Sequence, residues 1–162
     1  MRVAVLSDIH GNLPALEAVL AEADVITADR IVLLGDIALG PLPAESLDLL
    51  ESLGERAIWV HGNCEREVIT AYDGKSLPGP NADGARATAA LLEERHRDLL
   101  DGLPLTVTLD VAGVGPALFC HATPRRGTTW RRRSRGSVPA PIPTPRPGHT
   151  TTCSPRRETP RP

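Results

Sequence analysis

The sequence predicts an α/β protein with a mixed sheet system, and three observations carry this. Short apolar runs alternate with amphipathic stretches of helical period through the first sixty or so residues, the pattern of strand–helix units around a largely parallel sheet. The run at Ile31–Leu34 is apolar at every position, as in a strand buried on both faces. Two further strand-like runs, Leu105–Val111 and Ala117–His121, are separated by Gly113 and Gly115-Pro116, which predicts an antiparallel hairpin.

The first element is VAVL from Val3, a short strand that delivers Asp8 and His10 just past its end. Asn12 caps a helix in which Pro14 is tolerated in the first turn, and Leu13, Leu16, Leu20 and Ala23 form one apolar face. The second strand, IVLL, ends at Gly35-Asp36. Gly40 and Pro41 mark a loop before a second amphipathic helix, Pro43 to Leu53, closed by Gly54. A third strand, Ala57 to His61, runs into Gly62-Asn63-Cys64-Glu65. Residues 73–83 are rich in Gly and Pro and read as a loop. Asn81 then caps one long helix to about Leu100, with Ala85, Ala89, Leu92, His96 and Leu99 in a stripe. Position and pattern make His96 a core-edge residue rather than a ligand.

The chain has 162 residues, 41% of them hydrophobic and 23% charged, which fits one soluble domain with a single core. Aromatic residues are scarce, so Leu, Val, Ile and Ala must build that core. The net charge of −2 conceals a division. The acidic residues lie almost entirely before residue 122, and ten of the eighteen basic ones lie after Pro124. Cys64, Cys120 and Cys153 have no paired spacing and argue against a disulfide framework. Neither a signal peptide nor a run of membrane-spanning length is visible, so the expected location is cytoplasmic.

Four strand ends present groups that bind metals: Asp8 and His10, Asp36, Asn63, and His121. In open α/β sheets, ligands bind beyond the carboxyl ends of the strands, where these residues are expected. Each has a plainer reading. Asp36 and Asn63 follow glycines and suit turns, while His61 and His121 could be structural at strand ends. Together they form a mixed oxygen and nitrogen set suited to Mn²⁺, Fe or Zn²⁺. Two such ions about 3.5–4 Å apart would clamp a phosphate and activate water between them. Asp36, on the strand central in chain order, is the natural bridge.

The motifs D-I-H at 8–10, G-D-I-A-L-G-P at 35–41, G-N-C-E at 62–65 and F-C-H-A-T-P-R at 119–125 resemble the calcineurin-like metallophosphoesterases. Within them, the Cys-containing third motif is similar to the small bacterial phosphodiesterase branch. The resemblance implies a sandwich of two mixed β-sheets flanked by helices, with two divalent ions at the strand ends. Asp8, His10 and Asp36 would serve one metal; Asp36, Asn63 and His121 would serve the other. Mn²⁺ is the first expectation, with Fe, Zn²⁺ and Mg²⁺ as alternatives, and the substrate is a phosphate mono- or diester. Cys64 stands where many relatives carry a catalytic His, which gives it a catalytic reading beside that of a small buried filler.

The resemblance also sets a departure. The family ends with a strand into Gly-His-x-His, whereas here Gly148-His149 is followed by Thr150 and Thr151 and preceded by a proline-rich PIPTPRPG. A central strand cannot carry those prolines. The fold is therefore expected to be C-terminally incomplete, with a domain over 1–124 and an Arg/Pro-rich disordered tail over 125–162. The tail's composition is that of a GC-rich gene read out of frame, a hypothesis that sequencing the locus would test. Two competing functions follow from it: non-specific nucleic-acid binding through clusters such as Arg131-Arg132-Arg133, or an inactive truncated product.

Overall fold

The computed structural model describes residues 1–122. The readings of the tail and of His149 lie outside the described residues. Strand β1 (Val3–Leu6) leads into helices α1 (Leu13–Leu20) and α2 (Ala23–Ile26), and strand β2 (Arg30–Leu33) into α3 (Pro43–Glu51). A single 3₁₀ turn precedes β3 (Ala57–Trp59), after which come α4 (Asn63–Tyr72), α5 (Ala82–Ala89) and α6 (Glu94–Gly102). The hairpin strands β4 (Thr106–Val111) and β5 (Gly115–Cys120) follow.

Strands β1, β2 and β3 lie side by side and parallel, with Ala4 opposite Ile31 and Ile31 opposite Ala57. The hairpin forms a second, antiparallel sheet in which Leu109 faces Ala117. Both kinds of sheet are thus present, as the sequence predicts. Ile31, Val32 and Leu33 are fully buried, and Leu47, Leu50, Val68 and Leu100 close the core around the sheet. No helix among the described residues is long and apolar enough to cross a membrane.

Several elements differ from expectation. The helix expected to carry Leu13, Leu16, Leu20 and Ala23 ends at Leu20, and Ala23 opens α2 as an exposed residue, while Gly115 and Pro116, expected in the turn, begin β5. The chain does not pause in a turn after Gly62; it enters the ten-residue helix α4 at Asn63. The single long helix expected over 81–100 is two helices. Its apolar stripe runs on across the break, with Leu92 and His96 both buried, so periodicity alone does not reveal it. The break is made by polar groups. His96 Nδ1 accepts the Glu93 backbone N–H at 3.2 Å, so its hydrogen sits on Nε2 and is donated to Asp48, 2.9 Å away on α3.

Arg95 joins the same carboxylate with bonds of 2.7 and 3.1 Å, pinning α6 to α3. The Arg95 guanidinium first, and then His96, hold the Asp48 carboxyl down to about 2 from its ordinary 3.8. Because the folded value is depressed, this contribution is complete above the ordinary value and is lost as pH falls toward the folded one. The carboxylate is about half exposed, so water screens the pair and the effect is small. Wild type should melt above Asp48→Asn by a margin that is constant near neutrality and narrows between about pH 4 and about pH 2. Melting curves across that range check it; a margin that persisted to the acid end would refute the assignment.

Candidate metal centre

The parallel sheet delivers its three strand ends to one rim, where the loops are bonded to one another through backbone. Asp8 N donates to Gly35 O at 3.2 Å, His10 N to Asp36 O at 3.0 Å and Gly11 N to Ile37 O at 2.8 Å. The β1 and β2 loops therefore run on as a paired unit beyond the strands. Asp8, His10 and Asp36 have φ of 57°, 49° and 54°, and among the described residues they are the only non-glycines at positive φ. Asp and His tolerate this region better than most residues, yet it costs backbone energy, and such outliers gather at functional sites.

The two histidines are held in the same way. His10 Nδ1 lies 2.9 Å from the Leu39 carbonyl oxygen, and His121 Nδ1 lies 2.7 Å from that of Leu34. A carbonyl only accepts, so each Nδ1 carries the hydrogen and each Nε2 is left with its lone pair. His10 Nε2 is 3.9 Å from Asp8 Oδ1, and His121 Nε2 is 3.4 Å from Asp36 Oδ1. A backbone carbonyl fixing the tautomer of a ring whose other nitrogen faces carboxylates is the usual support of a metal-binding histidine. Ligand atoms of Asp8, Asp36 and His121 lie within 4.8 Å of one another, as do those of His10, Asp36 and Cys64. Asp36 belongs to both groups and is almost fully buried, whereas Asp8 and His10 open to solvent. Asn63 sits at the first position of α4, next to Cys64. His61 keeps to the strand end, its backbone N–H on Pro104 O at 2.8 Å, and burial lowers its pKa.

Comparison with known families decides where this arrangement belongs. The family model for calcineurin-like phosphoesterases matches residues 1–148. The chain belongs to the calcineurin-like phosphoesterase family. A protein of Methanocaldococcus jannaschii is 35% identical over 132 residues, covering 79% of this chain and 52% of its own length. The phosphodiesterase YfcE of Escherichia coli K12 is 39% identical over 77 residues, 42% of each chain. This chain thus spans about half the length of the curated relatives it matches. A metallophosphoesterase from Sphaerobacter thermophilus, known from its crystal structure, aligns with a TM-score of 0.52 at 36% identity, over 66% of this chain and 42% of that one. A Pyrococcus horikoshii protein shares the fold at a TM-score of 0.58 and 23% identity, over 68% and 50% of the two chains.

In this member of the calcineurin-like phosphoesterases, the residue that sequence reasoning passed over is Glu65. It is completely buried, and its carboxylate gathers the loops that carry Asp36 and Asn63. Oε2 accepts from Gly62 N at 2.7 Å and Asp36 N at 2.9 Å, while Oε1 accepts from Ile37 N at 2.7 Å and Ala38 N at 3.4 Å. A signal was available: Glu65 stands three residues after Gly62, the spacing at which an acidic side chain reaches back to the residue capping a helix. The Cys64 thiol is equally buried, and burial followed by the neighbouring Asp36 carboxylate pushes its pKa well up.

Proposed function

We propose that the chain is a metal-dependent phosphoesterase that holds two divalent cations, one at Asp8, His10 and Asp36 and the other at Asp36, Asn63 and His121. The observation that carries this is the pair of imidazoles fixed by Leu39 and Leu34 carbonyls, which leaves both Nε2 lone pairs among carboxylates at one rim. The donor set is oxygen and nitrogen throughout, so the residues present fit Mn²⁺ first, with Fe, Zn²⁺ and Mg²⁺ as alternatives. When bound, such cations supply charge that neutralises a phosphate and lowers the pKa of water.

The chain's own residues do the rest. Asp36 supplies the shared carboxylate, kept in place by the Cys64 N–H on Oδ1 at 3.0 Å. Asp8 and His10, on the open side of the rim, leave room for a phosphate ester to approach. Phosphate monoesters and diesters both suit this chemistry. Gly148-His149 followed by Thr150 and Thr151 in place of Gly-His-x-His would leave each cation one protein ligand short, with weaker affinity.

Hydrolysis of aryl phosphate mono- and diesters, titrated with Mn²⁺, tests the proposal. Turnover should require the metal and fall about a hundredfold or more in Asp36→Asn. Turnover that survives a chelator, or that Asp36→Asn leaves intact, would overturn it.

A further inference from the structure

One group at this rim takes no part in the proposed mechanism: the Cys64 thiol, only 2% exposed and placed between two of the metal-facing residues. Asn63 Nδ2 lies 3.4 Å from Cys64 Sγ, within the range of an N–H donated to sulfur. On its other side Sγ is within 4.8 Å of the ligand oxygen of Asp36 and the ligand nitrogen of His10. The sulfur lone pairs can accept the amide hydrogen.

An asparagine side chain is nearly symmetric in shape but not in chemistry. Turned over about its last bond, it exchanges an oxygen that can bind a cation for an NH₂ that cannot. Something must choose between the two orientations. We propose that Cys64 is a positioning residue: its sulfur takes the Nδ2 hydrogen and thereby holds the Asn63 oxygen for the cation. This inference rests on the metal-centre reading above and adds the device that fixes one of its ligands. Groups that orient a metal ligand contribute about 10–100-fold to metal affinity.

Mn²⁺ titration of the metal-free protein by calorimetry, with kcat measured at saturating Mn²⁺, tests it. Cys64→Ala should weaken Mn²⁺ binding about 10–100-fold and leave kcat at saturating metal within a few-fold of wild type. Cys64→Ser, whose hydroxyl oxygen can accept the same hydrogen, should restore most of the affinity. Cys64→Val fills the same space without an acceptor and should behave as Cys64→Ala, so the Ser and Val pair gives the answer even if the alanine variant does not fold. In an Asn63→Asp background there is no amide to orient, and Cys64→Ala should cost little more.

Unchanged affinity in Cys64→Ala and Cys64→Val would overturn the inference. So would an equal loss in the Asn63→Asp background, which would mark a packing role, or a fall in kcat at unchanged affinity, which would mark a proton donor. Wild-type protein that bound no Mn²⁺ at all would instead remove the metal centre itself, and this inference with it.

Discussion

Glu65→Gln should cost about 3–5 kcal/mol of folding stability and take the metal-facing rim with it. The wild-type carboxylate is an acceptor at both oxygens and meets four backbone N–H groups. Glutamine keeps one oxygen and turns an NH₂ toward the partners of the other. If the retained oxygen stays with Ile37 and Ala38, the N–H groups of Gly62 and Asp36 face a donor at distances that were 2.7 and 2.9 Å. Each buried donor left unmet costs about 1–3 kcal/mol, and bonds to a charged acceptor lie at the upper end. Domains of this kind have only about 5–15 kcal/mol in hand. Urea denaturation of both proteins at neutral pH gives the difference directly. A change below about 1 kcal/mol would mean that the four bonds do not hold the loops together.

Gly62→Ala should damage both the fold and the metal-facing rim. The backbone at Gly62 is extended, so conformational strain is not the reason. Crowding is. A Cβ there would overlap Asp36 Oδ1 and Asp36 N and stand 2.7 Å from Glu65 Oε2. Two of these belong to Asp36, and the third to the acid that holds its loop. None is the loose end of a flexible chain, so relief must come from moving the Asp36 loop. Overpacking in a rigid site costs about 1–3 kcal/mol, occasionally more. Here the larger loss should be in Mn²⁺ affinity, because Asp36 moves away from Asp8 and His121. The paired measurement is melting temperature and Mn²⁺ calorimetry. Metal affinity equal to wild type in Gly62→Ala would show that the contact yields without disturbing Asp36.

The reach of the sequence can be judged from particular elements. The strands themselves were legible because Ile31–Leu34 and its neighbours are apolar runs, although the structure ends β2 at Leu33 and β3 at Trp59, one and two residues sooner than the apolar pattern suggests. His96 was legible as core because it shares a face with Leu92, and it is buried. Helix α4 was not, since Gly62 and Asn63 are residues of turns as well as of helix starts, and a motif at a helix start reads as a loop. The break before α6 was not, because a hydrogen bond from Glu93 N to His96 Nδ1 leaves no mark on hydrophobic spacing. In the site, the residue types of Asp8, His10, Asp36 and His121 could be read, whereas what orients them could not. The Leu39 and Leu34 carbonyls that fix the two imidazoles are main-chain groups, and any residue at those positions would supply them.

The loops of the rim are knit together by bonds between protein atoms. The bonds from Asp8, His10 and Gly11 to residues 35–37, and the Glu65 cradle behind them, involve no ion. The entropy of ordering these residues, about 1–2 kcal/mol for each backbone unit, is therefore met when the chain folds and not when a cation arrives. A site of that kind has a bite set in advance. Selection among cations then becomes a matter of radius and preferred coordination against a fixed frame, and losing the ion empties a seat without dismantling it.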